Sequence, residues 1–334
     1  MSRPAILIVT PAFADANNGN WQTAQRWARF LSEDYRVTLA KSWEAGDDQA
    51  QPDLLLALHA RRSAASVRAW AEKRPGKPLL LVLTGTDLYQ DIQSDAAAQA
   101  SLRAASALVV LNELGLRALP EGLRAKAHVC LQSCAPRQAL ADKPRRWLRA
   151  LMVGHLREVK SPQTYFDAAK LLAGRPDIRL DHIGAALEPA LGAAALALMQ
   201  RCPQYRWLGA LPHQQTRKRI QAAHVLVHPS RLEGGAHAVI EALCSGTPVL
   251  ASRVDGNVGL LGEDYLGLFD WNDAAGLADL LRQCRDDPAM LTALRKQADA
   301  RAALFHPDQE KRRLRAIVAG LLSQTTSLQE GIAP

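Results

Sequence analysis

Short apolar runs recur along the chain, each cut off by a polar or glycine-containing loop. AILIVT (Ala5–Thr10) stops at Pro11, and Arg36–Ala40, Asp53–Leu58, Leu79–Thr84, Ala107–Leu111 and Ala127–Leu131 repeat the pattern. Runs this short and this rich in Leu, Val and Ile predict strands buried on both faces, as in a parallel sheet. Helical spacing fills the intervals. Trp21, Ala24, Trp27, Ala28 and Leu31 share one face of a helix, and Ser63–Lys73 and Asp95–Ala105 are helical stretches too. Strand and helix in alternation predict an α/β chain with a doubly wound parallel sheet, which binds ligands at the carboxyl ends of its strands.

The rhythm breaks at SCAPRQALADKPRRWLR (Ser133–Arg149), rich in proline and charge, and then resumes. Ala150–Val153, Ile178–Ile183, Val225–Val227 and Val249–Leu250 predict a second sheet of the same kind. The expected domains are therefore 1–140 and 141–307, and 334 residues suffice for two cores. Asp308–Leu322 is helix-prone, with Leu314, Ile317, Val318 and Leu321 on one face and Lys311, Arg312, Arg313 and Arg315 on the other.

Composition narrows the class. A hydrophobic content of 48% with 22% charged residues is that of a globular protein, and no uninterrupted apolar run approaches a membrane span. MSRPAILIVTPAF lacks a signal-peptide cleavage pattern, which makes the cytoplasm the expected compartment. Five cysteines without a CxxC pair fit free thiols. The net charge of +8 does not point to nucleic acid, because the arginines are dispersed and no binding motif interleaves with them. No partner in nucleic acid or membrane is expected, only small-molecule substrates.

The densest chemistry lies in His228–Gly262, HPSRLEGGAHAVIEALCSGTPVLASRVDGNVGLLG. Two carboxylates, Glu233 and Glu241, flank Gly234-Gly235-Ala236-His237, a turn of little bulk running into a buried helix. Backbone amides at such a turn are unpaired donors for phosphate or sugar oxygens, and a carboxylate accepts two bonds from a vicinal diol. The plain alternative is a loop and an amphipathic helix with solvated acids.

Four loops after predicted strands extend the candidate site. Phe13–Asn20 joins strand to helix through a glycine loop, a nucleotide-type arrangement that reads equally well as a helix cap with turn residues. Arg61 and Arg62, with Ser63 at a helix start, suit a phosphate-bearing acceptor, or are surface arginines. Thr86 and Asp87 follow the strand LLLVL, where turn chemistry is the alternative. Gly154, His155, Arg157 and Lys160 follow the strand ALMV and place cations beside a glycine. No DxD pair is suitably placed and the histidines show no close ligand spacing beyond His224 and His228, which flank a predicted buried strand, so neither a metal nor another cofactor is expected.

Pro229-Ser230, Glu233-Gly234, Glu241-Ala242, Gly246-Thr247-Pro248-Val249 and Ala251-Ser252 together resemble the signature of the GT-B glycosyltransferases of family 4. The resemblance implies two facing Rossmann-like domains with the active site in the cleft between them, and a final helix, 308–334, crossing back to the first domain. It gives Glu233 the donor sugar and Glu241 the nucleotide ribose, and it makes Lys160 a cation for the departing diphosphate. His155 stands where that family usually has arginine, with Arg157 as a substitute two residues on. The resemblance also makes Asn18, Gly19 and Asn20, in the loop after the first strand, candidate site residues of the cleft, and Thr86 and Asp87 stand in a loop that often carries a histidine.

A narrower likeness runs through nearly the whole chain. TPAFADANNGNWQTAQRWARFL, LHARRSAAS, LTGTDLY, VGHLREVKSP, HIGAAL and GNVGLLGEDYLG resemble the selenosugar synthases of selenoneine biosynthesis. That likeness implies attack by selenophosphate on a UDP-sugar such as UDP-N-acetylglucosamine, with other enzymes of the pathway as possible partners. An ordinary glycosyltransferase and a nucleotide-sugar epimerase are the alternatives.

Overall fold

The computed structural model describes residues 3–11, 19–44 and 51–330, the side chains of 325–330 excepted. The chain forms two compact units, Met1–Gln132 with Pro307–Pro334, and Ser133–His306. The segment after Gln132 is tied into the second unit: the Cys134 N–H donates to Phe305 O at 3.1 Å and the Arg137 N–H to Cys244 O at 2.7 Å.

The first unit holds six parallel strands, β1 (Ala5–Val9), β2 (Arg36–Ala40), β3 (Leu54–Leu58), β4 (Leu79–Leu83), β5 (Ala107–Val110) and β6 (Ala127–Val129), in the order β2-β1-β3-β4-β5-β6. Side chains alternate between faces, so each strand feeds two cores. Ile6, Ile8, Leu54 and Leu56 pack against Trp27 and Leu31 of helix Gly19–Leu31 and against Leu314, Ile317 and Val318 of helix Pro307–Glu330. Leu7, Val9, Leu55 and Leu81 face the other way, toward Val67, Trp70 and Leu102. The last helix is also fixed by charge. Glu310, buried, accepts from Arg26 Nε at 2.8 Å and Nη2 at 3.0 Å and from Trp27 Nε1 at 2.6 Å.

The second unit holds β7 (Leu148–Val153), β8 (Ile178–Ile183), β9 (Tyr205–Trp207), β10 (Val225–His228), β11 (Val249–Ser252) and β12 (Leu268–Phe269), all parallel, in the order β12-β11-β10-β7-β8-β9. β9 and β12 were not expected from the sequence: at three and two residues they are too short to give a periodic signal. The winding direction reverses between β7 and β10 here, and between β1 and β3 in the first unit. Crevices at such reversals, outside the strand carboxyl ends, are where open α/β sheets bind ligands. No helix among the described residues is long and apolar enough to cross a membrane, and all five cysteines are free and buried.

Candidate active site

In the second unit the reversal point brings together the loop after β7 and the loop after β10. His182, buried on β8, places the first of these. Its Nε2 lies 3.0 Å from Gly154 O, which only accepts, and its Nδ1 lies 3.1 Å from the Tyr205 hydroxyl, so the neutral ring carries its proton on Nε2. Gly184 lets the backbones touch, since a Cβ there would lie 1.9 Å from Gly154 O. His155 Nδ1 accepts from the Ala185 N–H at 3.0 Å. Burial first, then the charges of Arg157 and Lys160, hold the His155 ring below the usual histidine range. Arg157 is half-buried, and its Nε has no hydrogen-bond partner. A buried guanidinium donor left unpaired is a standing invitation to an anion.

Lys160 Nζ lies 2.5 Å from Glu233 Oε1, and His228 Nε2 lies 2.9 Å from the same oxygen. Burial alone would raise the Glu233 pKa, but the Lys160 ammonium and then His228 more than offset it and keep the carboxyl ionised well below the usual range. The Glu233 loop is held from behind. Ser252 Oγ donates to Ser230 O at 2.5 Å, Asn257 Nδ2 donates to Ser252 O at 3.0 Å, and a Cβ on Gly256 would lie 1.8 Å from Glu233 O. A cation, an ionised glutamate and an unpaired arginine donor at one reversal point suit a ligand with both phosphate and hydroxyl oxygens.

Glu241 sits on helix His237–Leu243, buried, with His213 Nε2 at 2.6 Å and His237 Nδ1 at 3.4 Å from its Oε1. Burial pushes its pKa up, but hydrogen bonds from His213 and then His237 bring it down to about 2. Gly234 and Ala236 are buried and Gly235 half-buried, so the turn between the glutamates is packed. Ala236 caps the helix without a side-chain acceptor for the first-turn amides.

In the first unit Arg61 is half exposed and its Nε pairs with Asp91 Oδ2 at 3.2 Å, while Arg62 is exposed. Both follow β3 at the reversal point. His59, just before them, has φ 74°, a left-handed backbone that a non-glycine residue adopts only under constraint. Its Nε2 lies 3.3 Å from Thr86 Oγ1. Asp87 is not available to a ligand as the sequence suggested. It is fully buried, and its carboxylate accepts from the N–H groups of Ala60 at 2.9 Å, Thr84 at 2.8 Å and Gly85 at 2.9 Å, binding the loops after β3 and β4 together. Gly19 and Asn20 open helix Gly19–Leu31, and Asn18 lies outside the described residues.

Sequence reasoning missed His228, Ser230 and His213. His228 had a signal, as a polar residue closing an apolar run just before Glu233. His213 had none, since it reaches Glu241 from a helix 28 positions earlier. Among the described residues no cluster of three or more His, Cys, Asp or Glu side chains is placed to hold a metal ion.

The family model for Glycosyl transferases group 1 matches residues 141–301, the span that carries Lys160, Glu233 and Glu241. Residues 141–301 are thus similar to the group 1 glycosyl transferases. Over 182 residues, 51% of this chain, the sequence is 30% identical to a D-inositol 3-phosphate glycosyltransferase of Streptomyces avermitilis, covering 39% of that protein. The chain spans about two fifths or less of the length of the curated relatives it matches. Two solved structures match almost the whole fold. Sucrose-phosphate synthase from Thermosynechococcus elongatus superposes with a TM-score of 0.77 at 18% identity, over 97% of this chain and 100% of that one. Anabaena HepE in complex with UDP-glucose gives 0.75 at 15% identity, over 95% and 99%. The fold is thus that of the GT-B glycosyltransferases.

Within the second unit, burial lowers the His182 pKa from 6.5 to about 4. As pH falls, the unfolded chain takes up this proton first, so the stability contributed by a neutral His182 is full above about pH 6.5 and is lost between there and about pH 4. The loss amounts to about 3 kcal/mol. Denaturant unfolding at pH 8 and pH 4.5 should show this fall in the wild type and a shallower one in His182→Gln. Equal slopes would remove His182 as the cause.

Proposed function

We propose that the protein transfers a glycosyl group from a UDP-sugar such as UDP-N-acetylglucosamine to selenophosphate, forming a carbon–selenium bond and releasing UDP. The observation that carries the donor half is Lys160 at 2.5 Å from the buried, ionised Glu233, with the unpaired Arg157 Nε in the same loop as Lys160. A lysine has three donors, so a diphosphate takes a share of Lys160 while Glu233 remains free to accept from a sugar hydroxyl. As the bond from the anomeric carbon to the UDP oxygen breaks, UDP leaves with the electron pair, and Lys160 and Arg157 stabilise the developing charge. Glu241 accepts from the ribose hydroxyls.

The acceptor half rests on the likeness to selenosugar synthases and on the exposed pair Arg61 and Arg62. Selenium donates a lone pair to the anomeric carbon, and hydrolysis of the selenium–phosphorus bond then liberates phosphate and the selenosugar. An anionic, polarisable nucleophile needs no base to deprotonate it, unlike an alcohol. The second reading is transfer to a hydroxyl acceptor, favoured by the similarity to D-inositol 3-phosphate glycosyltransferases.

The test mixes the protein with UDP-N-acetylglucosamine and either selenophosphate or inositol 3-phosphate, follows UDP release, and examines the product by mass spectrometry. UDP release that requires selenophosphate, with a selenium isotope pattern in the sugar product, is expected. Release driven by the inositol instead would establish the second reading, and conversion of the UDP-sugar without UDP release would make the protein an epimerase. Replacing Arg61 and Arg62 together by alanine should raise the KM for selenophosphate by about tenfold to a hundredfold, the scale of hydrogen bonds to a charged group, with the KM for the UDP-sugar little changed. Equal effects on both would remove the pair from the acceptor site.

A further inference from the structure

Trp271, two residues after β12, is 44% exposed, an uncommon place for a tryptophan. Its indole N–H is nevertheless engaged, donating to Ser161 Oγ at 3.0 Å. Ser161 has φ 47° and ψ 50°, the left-handed region in which a side chain crowds the following carbonyl. It is the residue after Lys160. The Ser161 N–H donates to Glu158 O at 2.8 Å, but its side chain makes no cap bond to helix Pro162–Leu171, so among the described contacts the indole is what anchors that side chain. Trp271 also meets the opposite loop: the Arg231 guanidinium carbon lies 5.3 Å from the ring centre, and the Arg231 N–H donates to Val159 O at 2.9 Å. One exposed ring therefore grips both loops whose tips meet at Lys160 and Glu233.

We infer that Trp271 is a positioning residue for Lys160: its bond to Ser161 stabilises the left-handed turn that aims the ammonium at Glu233 and at the donor diphosphate. This rests on the proposed role of Lys160. Without the indole N–H, Ser161 relaxes toward ordinary backbone angles and the Lys160 side chain loses its fixed origin. The ring's contact with Arg231 is a separate matter, which phenylalanine preserves.

The measurement is calorimetric titration of the full chain with UDP. Trp271→Phe should weaken UDP binding by about fivefold to tenfold, the scale of one neutral hydrogen bond. Adding Ser161→Gly to that variant should restore affinity to within about twofold of wild type, because glycine occupies the left-handed region without help. A merely structural role for the ring would not be rescued this way. Wild-type affinity in Trp271→Phe, or no recovery in the double variant, overturns the inference. Lys160→Ala run alongside separates the two claims: unchanged UDP affinity there defeats the reading of Lys160 itself, whereas weakened binding there with a silent Trp271→Phe defeats only the positioning role.

Discussion

Lys160→Ala is expected to slow UDP release by a factor of about 10²–10³, the loss typical of removing one preorganised donor from a developing negative charge. The geometry makes the effect fall chiefly on kcat. Lys160 is already fixed on Glu233 in the free protein, so it need not reorganise when the diphosphate begins to leave. Lys160→Arg keeps a cation but moves it, and should recover part of the rate. The same substitution acts on Glu233, because with the ammonium gone the buried carboxyl keeps only His228 as its partner among the described residues, and burial then raises its pKa. The pH–rate profile of Lys160→Ala should therefore gain an acid limb at higher pH than wild type. A rate within threefold of wild type would mean that the departing charge is met elsewhere.

The second large effect is on nucleotide affinity. Glu241→Ala should weaken UDP binding by about tenfold to a hundredfold, since the charged acceptor proposed for the ribose diol is removed. Glu233→Ala should lower kcat while leaving UDP affinity much less changed, because UDP lacks the sugar proposed as the partner of Glu233. Glu241→Gln separates charge from packing by keeping the shape while weakening the grip of His213 and His237. The glutamate pKa of about 2 lies below its usual 4.5, so the stability from its ionised form is present above about pH 4.5 and is lost as pH falls toward 2. Between pH 5 and 8, UDP affinity should thus show no titration from Glu241. Wild-type UDP affinity in Glu241→Ala would count against the ribose assignment.

Much of this architecture was legible in the chain. Leucine- and valine-rich runs such as Leu54–Leu58 and Leu79–Leu83 could bury both faces only as interior parallel strands. The ordered signature around Glu233 singled it out in the sequence, and the fold brings Lys160 to 2.5 Å from it. Asp87 misled, and the reason is local: an aspartate two and three positions beyond loop amides closes a turn on itself, which is what its bonds to Gly85 and Thr84 do. His213 and Trp271 carried no sequence signal, because their partners Glu241 and Ser161 lie 28 and 110 positions away and only the folded sheet brings them close.

The return of helix Pro307–Glu330 to the first sheet has a consequence for the order of events during synthesis. Leu314, Ile317 and Val318 cover the sheet face that Ile6, Ile8 and Trp27 also build, and Glu310 is the buried partner of Arg26. On the ribosome these residues emerge only after all of Ser133–His306. The second unit, made from one uninterrupted stretch, can complete its core while the earlier half of the chain still exposes an apolar face. The half translated first is thus the half finished last, and the interval between is when a chaperone has most to protect.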